Sequence, residues 1–224
     1  MRAEESNWLC SWASGRLVAG TTARGVAIGD VLQRFPWPVT TISAEQVHGS
    51  SIAMVGHDEP TTMLVPGCDA LITDRPQRAL MIQTADCLPM MFAEPRRRVI
   101  GIAHAGWRGL SRQLPLRMVE LFARLFRSAA ESLHVAIGPA ICGRCYEVGE
   151  EFRERFGRFA IRRGHRWTCD LRGVAMAQLR QAGVVGQHIT LSDHCTYDEP
   201  TRWYSVRREG QATGRMSSFI VLKP

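Results

Sequence analysis

Short runs of apolar residues recur along the chain and are separated by Gly, Pro and polar positions. Most of these runs are rich in Val, Ile, Leu and Met, a pattern typical of β-strands that are covered on both faces. The pattern predicts strands at Leu17–Gly20, Ser51–Val55, Asp69–Thr73, Leu80–Thr84, Leu88–Phe92, Val99–Ala103, Leu133–Ile137, His188–Ser192, Trp203–Val206 and Ser217–Leu222.

Two longer segments follow the helical period. Apolar side chains make one face of the segment from Leu114 to Ala130, and Pro115 suits its first turn. The segment from Leu171 to Ala182 is similar, and Gly183 is a typical C-terminal cap. Together the elements predict an α/β fold, a single domain over residues 1–224 with a mixed β-sheet core flanked by helices.

Length and cysteine content narrow the class of protein. The 224 residues suffice for one sizeable core, and no apolar stretch is long enough to span a membrane. Glu4 and Glu5 follow Arg2 closely, which argues against a signal peptide. The seven cysteines are odd in number and scattered, so we expect thiols in a reducing cytoplasm rather than disulfides.

The net charge of +7 rests almost entirely on arginine, because Lys223 is the single lysine of the sequence. Such a bias can follow from codon usage in a GC-rich genome, and no nucleic-acid-binding module accompanies it. The run Arg96-Arg97-Arg98 lies between two predicted strands, where we expect a solvated hairpin turn. We therefore predict no nucleic-acid partner, whereas a small anionic substrate is compatible with the charge.

The residues best suited to catalysis are His48, Cys87 and His104, each near a predicted strand end and beside Gly or Pro. They are far apart in sequence and can meet only at the ends of neighbouring strands, where α/β folds place their sites. Two imidazoles and a thiolate form a zinc set with one open tetrahedral position. Taken singly, a histidine at a strand end is more often a hydrogen-bonded structural residue, and Cys87 next to Pro89 would be assigned to core packing.

Several motifs extend this observation along the chain. They are Glu45-Gln46-Val47-His48-Gly49, Asp69-Ala70-Leu71-Ile72-Thr73, Ala85-Asp86-Cys87-Leu88-Pro89, His104-Ala105-Gly106-Trp107-Arg108-Gly109, Ile137-Gly138-Pro139, Cys145-Tyr146-Glu147-Val148, Cys195-Thr196, Tyr204-Ser205-Val206-Arg207-Arg208 and Thr213-Gly214-Arg215. From roughly Thr40 to Leu222 this set resembles the bacterial laccase-domain family, also known as purine nucleoside phosphorylases and as peptidoglycan editing factors.

The resemblance implies a fold, a cofactor and an activity. The fold is the one shared with toxin-like cysteine hydrolases, and the cofactor is Zn²⁺ bound by His48, Cys87 and His104. The activity is phosphorolysis of adenosine, inosine and methylthioadenosine, with some adenosine deamination. The partners would thus be a purine nucleoside and phosphate, bound by a monomer or a small homo-oligomer.

Further site residues are assigned with the help of the matched motifs. Phosphate favours forked arginine donors, and the candidates are Arg108, Arg207, Arg208 and Arg215, with ordinary salt bridges as the alternative. In the family that the chain resembles, a longer N-terminal segment carries a pocket arginine. Here Arg24 either takes that role from a shifted position or has no part in the pocket. Asp86 is either an acid or base or a residue that orients its neighbours, and a cap of the following turn is the structural alternative.

Copper chemistry is limited by the histidine content. A multicopper laccase needs more histidines, arranged in His-x-His pairs, than the seven in this chain. A His/His/Cys set resembles a blue copper site, so these residues are compatible with adventitious Cu²⁺ binding in vitro.

The pair Cys142 and Cys145 forms a C-x-x-C motif in a predicted loop after Gly138-Pro139. With neither a following helix nor a second pair, it is not expected to act as a redox motif or zinc ribbon. The resemblance places Cys145 in a loop that shapes the pocket, and Cys195, which follows His194, is a further residue that could approach the same site.

Two alternative functions stay open. In the first, the protein is a metal-free hydrolase with Cys87 as nucleophile and His104 as its base. In the second, it edits cell-wall precursors by hydrolysing nucleotide-linked muropeptides.

Overall fold

The computed structural model describes residues 7–10, 15–56 and 62–224. The strands within these ranges are β1 (Trp8–Leu9), β2 (Leu17–Thr21), β3 (Thr40–Ala44), β4 (Ile52–Met54), β5 (Thr62–Val65), β6 (Ala70–Thr73), β7 (Arg78–Thr84), β8 (Leu88–Glu94), β9 (Val99–Ala105), β10 (His134–Ile137), β11 (Glu147–Val148), β12 (Ala160–Arg163), β13 (Arg166–Cys169), β14 (Ile189–Leu191) and β15 (Met216–Leu222). The α-helices are α1 (Ile28–Leu32), α2 (Trp107–Ser111), α3 (Leu114–Phe126), α4 (Phe152–Phe156), α5 (Leu171–Gln181) and α6 (Val206–Glu209). Arg2, Glu4 and Glu5, on which the expectation about a signal peptide rests, lie outside the described residues.

The core consists of two mixed six-stranded sheets. Their strand orders are β1-β2-β15-β7-β3-β5 and β14-β10-β8-β9-β6-β4, and a separate three-stranded sheet has the order β11-β13-β12. Buried side chains of β7, β9 and β15, such as Ile82, Ile102 and Ile220, pack together between the two large sheets. The predicted α/β class is confirmed, with two stacked sheets in place of the single sheet that the sequence predicted.

Strand alternation explains why the central runs are apolar throughout. In β8, Met90 and Phe92 belong to the core under the helices, whereas Met91 belongs to the core between the sheets. Because successive side chains point to opposite faces, a strand between two apolar layers must be apolar at every position. Helix α3 covers the outer face through Phe122, which is fully buried.

The arginine-rich run forms the predicted hairpin turn. Strands β8 and β9 are antiparallel neighbours, and the Glu94 carboxylate accepts hydrogen bonds from the backbone N–H groups of Arg96 (3.2 Å) and Arg97 (2.6 Å). The turn prediction is therefore confirmed. No helix among the described residues is long and apolar enough to cross a membrane.

Two element predictions were wrong in detail. The segment Trp203–Val206 is not a strand, because Ser205 caps helix α6 by accepting a hydrogen bond from the Arg208 backbone N–H at 3.2 Å. Helix α3 ends at Phe126 rather than Ala130, because Arg127 has a φ of 50° and leaves the helical path.

Candidate metal centre and pocket

The three predicted metal ligands come together where the two large sheets share an end. His48 lies in the loop after β3, Cys87 lies in the connection from β7 to β8, and His104 is the penultimate residue of β9. Strands β3 and β7 are neighbours in one sheet, and β8 and β9 are neighbours in the other. One potential ligand atom from each residue lies within 4.8 Å of the others.

A buried carboxylate that sequence reasoning missed holds this arrangement in place. Asp69 is completely buried and accepts hydrogen bonds from His104 Nδ1 (2.9 Å), the His48 backbone N–H (3.0 Å) and the Gly49 backbone N–H (2.6 Å). Binding of Nδ1 leaves Nε2 of His104 free for a metal ion, the usual role of a carboxylate behind a ligating histidine. The sequence feature that could have identified Asp69 is its position as a charged residue at the start of an apolar strand.

The electrostatics favour the ligating form of the cysteine. Burial raises the pKa of the Cys87 thiol, but hydrogen bonds and charge interactions with His104 and His48 outweigh it and lower that pKa to about 7. For His104, burial lowers the pKa, whereas the hydrogen bonds to Asp69 and Cys87 raise it to about 9. Cys87 is therefore readily available as a thiolate, the form that binds metals.

The loop that carries His48 is fixed by its neighbours. The side-chain amide of Gln46 donates to the Gln83 carbonyl (2.6 Å) and accepts from the Gln83 backbone N–H (2.7 Å), which joins the loop to the end of β7. His48 itself has a φ of 58°, a left-handed conformation uncommon for a residue with a side chain. Gly106 leaves the necessary space, because a Cβ there would lie 3.1 Å from Cys87 Sγ.

The donor set fits a metal ion. It offers two imidazoles and one thiolate at mutual distances that a single ion can bridge, with a carboxylate behind one imidazole. Three protein ligands leave one position for a substrate or water, as in catalytic sites. The residues present can thus hold a metal ion of the kind that polarises a bound group.

A cavity of about 510 Å³ opens over these residues. Such a volume suits a small organic ligand. Its lining contains His48, Cys87 and His104 together with the basic residues Arg108, Arg207 and Arg215. The three predicted metal ligands and three of the predicted arginines therefore share one pocket.

Arg207 and Arg215 are bound to carbonyl groups of the pocket loops. Arg207 donates to the Glu147 carbonyl at 2.6 Å and lies 5.0 Å from the centre of the Tyr146 ring. Arg215 donates to the carbonyl groups of Thr213 (2.5 Å) and Gly214 (3.1 Å). These contacts orient the guanidinium groups without neutralising their charge, which keeps them suited to an anion.

The structure does not bring Arg24 and Arg208 to the lining of this pocket. Both bind the carboxylate of Glu209, Arg24 at 2.8 Å and Arg208 at 2.5 Å. Arg24 also lies over the Tyr204 ring at 4.3 Å. Both guanidinium groups are thus paired with a carboxylate of the protein itself, which agrees with the alternative of ordinary salt bridges.

Asp86 supports the pocket through both of its carboxylate oxygens. Oδ1 accepts a hydrogen bond from Thr196 Oγ1, and Oδ2 accepts one from the Arg207 backbone N–H, each at 2.7 Å. The residue is buried and has a φ of 98°, a strained value that its neighbours must maintain. Asp86 thus orients the start of α6, from which Arg207 projects.

Comparisons with known proteins agree with this arrangement. Residues 30–223 match the family model described as multi-copper polyphenol oxidoreductase laccase. A purine nucleoside phosphorylase of Deinococcus radiodurans is 40% identical over 159 residues, a match that covers 69% of this chain and 61% of that protein. The chain therefore spans less than two thirds of that relative's length.

Two further similarities concern an enzyme and a fold. Adenosine deaminase RL5, from an unknown prokaryotic organism, is 30% identical over 201 residues, which cover 81% of this chain and 75% of that protein. The crystal structure of the hypothetical protein YfiH of Bacillus licheniformis superposes with a TM-score of 0.85 at 26% identity, covering 92% of this chain and 93% of that one. By sequence and by fold, the chain belongs to the multi-copper polyphenol oxidoreductase laccase family, whose members include relatives named purine nucleoside phosphorylase.

Proposed function

We propose that the protein is a zinc-dependent purine nucleoside phosphorylase. It would convert adenosine, inosine or S-methyl-5'-thioadenosine and phosphate into the free base and a pentose 1-phosphate, with adenosine deamination as a side activity. The observation that carries this proposal is one cavity lined both by the His48, Cys87 and His104 donor set and by three arginines. The names of the relatives support the same reaction.

Phosphorolysis places specific demands on such a pocket. A phosphate oxygen bonds to the anomeric carbon as the bond from that carbon to the base nitrogen breaks, and the base leaves with the electron pair. Arg108, Arg207 and Arg215 would hold the phosphate and offset its charge through forked hydrogen bonds. Asp86 would act as a positioning residue, because its carboxylate fixes the backbone of Arg207.

The leaving base needs a hydrogen-bond donor. Burial and the nearby charge of Cys87 raise the pKa of Tyr146 to about 12, so its hydroxyl group keeps its proton at neutral pH. Tyr146 lines the cavity and would donate a hydrogen bond to the departing base. Zinc, held by His48, Cys87 and His104, would supply Lewis-acid polarisation of a bound oxygen.

Zinc is proposed over copper because phosphorolysis transfers no electrons. Two imidazoles and a thiolate with one open position suit catalytic zinc. The same donors would bind Cu²⁺ in vitro, since a His/His/Cys set also suits copper.

Metal analysis and product analysis test the proposal together. The purified protein is assayed for zinc and for base release from adenosine, inosine and methylthioadenosine, with and without phosphate. We expect bound zinc and phosphate-dependent release, and we expect His48→Ala to lose the base release together with about one zinc ion relative to the wild type. His165→Ala, which changes an exposed histidine in the turn between β12 and β13, is the matched control and should behave like the wild type. Zinc-free protein with a fully active His48→Ala variant would overturn the proposal.

The arginines have a test of their own. Arg215→Ala should raise the KM for phosphate about 10- to 100-fold, because a hydrogen bond to a charged group contributes about 1.5–3 kcal/mol. The KM for the nucleoside should change little. Arg162→Ala, at an exposed arginine of β12, is the control. An unchanged phosphate KM in Arg215→Ala would remove this residue from the phosphate site.

A second candidate function rests on the order of three side chains. The Cys87 thiol hydrogen-bonds to His104, whose Nδ1 lies 2.9 Å from Asp69, as in a nucleophile, base and orienting acid of a hydrolase. Such a site has no use for His48. Hydrolysis that survives His48→Ala but is abolished by alkylation of Cys87 would favour this reading.

The cell-wall alternative has its own outcome in these assays. Zinc-loaded protein that releases no base from nucleosides but hydrolyses a nucleotide-linked muropeptide would establish it.

A further inference from the structure

The C-x-x-C pair belongs to a second group of possible metal ligands. The thiols of Cys142, Cys145 and Cys195 and the carboxylate of Asp198 offer ligand atoms that all lie within 4.8 Å of one another. Cys195 is buried, the other two thiols are half-buried, and Asp198 is exposed. None of the four lines the cavity over His48. Cys195, a candidate for the His48 site from the sequence, instead belongs to this separate cluster.

The spacing within this cysteine cluster matches a tetrahedral ion. Cys142 Sγ lies 3.5 Å from Cys145 Sγ, and the Asp198 carboxylate oxygens lie 3.9 Å and 3.2 Å from these two sulfurs. Two sulfurs that are each about 2.3 Å from a tetrahedral zinc ion are about 3.8 Å apart. An ion can thus enter with shifts of a few tenths of an ångström.

Backbone hydrogen bonds order the loop around the sulfurs. The Cys145 N–H donates to the Cys142 carbonyl at 3.1 Å, and the Cys142 N–H donates to Cys195 Sγ at 3.3 Å. A hydrogen bond from a backbone N–H stabilises a sulfur that carries negative charge.

A buried arginine next to the cluster supplies an independent indication of negative charge there. The Arg172 guanidinium donates to the carbonyl groups of Ala140, Ser192 and His194, which lie in the two loops that carry the cysteines. Among the described residues, it forms no salt bridge with a carboxylate. Burying a positive charge without a counter-charge is costly. Three thiolates and a carboxylate around a divalent ion would carry a net negative charge, which would compensate the charge of Arg172.

We propose that Cys142, Cys145, Cys195 and Asp198 bind a structural Zn²⁺ ion. Four protein ligands close the coordination sphere, as in structural rather than catalytic zinc sites. Three soft thiolates select zinc over Mg²⁺ or Ca²⁺.

This ion would fix one wall of the candidate pocket. It joins the loop after β10 to the loop after β14, which otherwise meet in a bridge between Ala140 and Cys195. Both loops continue to Asp86: the Ile141 N–H donates to its backbone carbonyl at 3.0 Å, and Thr196 Oγ1 donates to its side chain. Zinc binding here would therefore position the pocket without contacting the substrate.

Zinc content of full-length variants tests the proposal separately from the activity. We expect Cys195→Ser to lose about one zinc ion relative to the wild type. The same ion should persist in His48→Ala, which removes a ligand of the other site. Cys10→Ala, at a buried cysteine of the β1 and β2 region, is the matched control and should keep the wild-type zinc content.

Cobalt(II) provides a second readout. In a His48→Ala background, added Co²⁺ should give strong thiolate-to-metal absorption that disappears in Cys195→Ser. If Cys195→Ser fails to fold, Asp198→Asn decides the question, because Asp198 is exposed and its replacement leaves the core intact. Asp198→Asn should release its zinc to a chelator about tenfold faster or more.

Three results would overturn the inference. One is equal zinc content in the wild type and Cys195→Ser. Another is an Asp198→Asn variant with wild-type zinc release. The third comes from a thiol titration of the unfolded protein, purified without reductant. The structure has seven free cysteines, and a titration that finds only five thiols would mean that Cys142 and Cys145 form a disulfide.

Discussion

Replacing Asp69 by asparagine removes the charge behind the candidate metal centre at almost constant volume. The carboxylate accepts three hydrogen bonds through two oxygens, from His104 Nδ1, from the His48 N–H and from the Gly49 N–H. An amide has one oxygen and one NH₂ group. Whichever way the new side chain is oriented, its NH₂ group faces at least one of these donors.

The size of the effect follows from that mismatch. One buried donor without an acceptor costs about 1–3 kcal/mol of unfolding free energy. Loss of the carboxylate behind a ligating histidine lowers metal affinity about 10- to 100-fold, which corresponds to about 1.4–2.7 kcal/mol. We therefore expect Asp69→Asn to weaken both zinc binding and the metal-free fold.

Two measurements separate these effects. Competition with a chromogenic chelator gives the zinc affinity, and urea unfolding in excess chelator gives the stability of the metal-free protein. Asp30→Asn, at an exposed carboxylate in the first turn of α1, is the control and should change neither quantity by more than about 0.5 kcal/mol. Wild-type zinc affinity and stability in Asp69→Asn would refute the role assigned to Asp69.

Three further outcomes are expected from the same structure. In metal-free protein, the alkylation rate of Cys87 should rise with pH to a midpoint near 7, because the two histidines favour its thiolate. An ordinary thiol has a pKa of roughly 8.5, and a midpoint at that pH would contradict the prediction. Phe122→Ala removes a fully buried ring from the inner face of α3. It should lower the free energy of unfolding in urea by about 3–5 kcal/mol and leave the zinc affinity unchanged. Gly106→Ala places a methyl group 3.1 Å from Cys87 Sγ. It should weaken zinc binding with little loss of stability. An unchanged zinc affinity would show that the loop accommodates a side chain.

The sequence predicted best the elements whose environment is uniform. Strands β8 and β9 are covered on both faces, so their composition alone revealed them. Strand β3, with the sequence Thr-Thr-Ile-Ser-Ala, is only partly buried and was missed, because its polar residues resemble a loop. The stacking of two sheets also escaped prediction, since it depends on pairings such as β2 with β15 that join distant parts of the chain.

The same contrast applies to the candidate site. His48, Cys87 and His104 were identified by their chemistry and by the family resemblance, and the structure places them together. Asp69 was missed because two of its three partners are backbone N–H groups, which a sequence does not display, and the third, His104, is distant in sequence.

The cysteine cluster was only half visible in the sequence. Cys142 and Cys145 lie three residues apart and are recognisable in the sequence as a C-x-x-C pair. Cys195 and Asp198 come close to this pair only in the tertiary fold. Proximity of this kind depends on loop positions that no local pattern encodes.

The position of β15 has a consequence for how the molecule forms during synthesis. This strand, near the end of the sequence, lies inside its sheet between β2 and β7, and Thr21 and Ser218 share a hydrogen bond across 197 residues. Contacts of such long range are slow to form. His48, Cys87 and His104 all leave the ribosome well before Met216, so the sheet that must hold β3 and β7 in register is still open when these ligands first become available. The nascent chain therefore passes through a stage with reactive thiols and an unpaired β7 edge, a stage that ends only when β15 inserts.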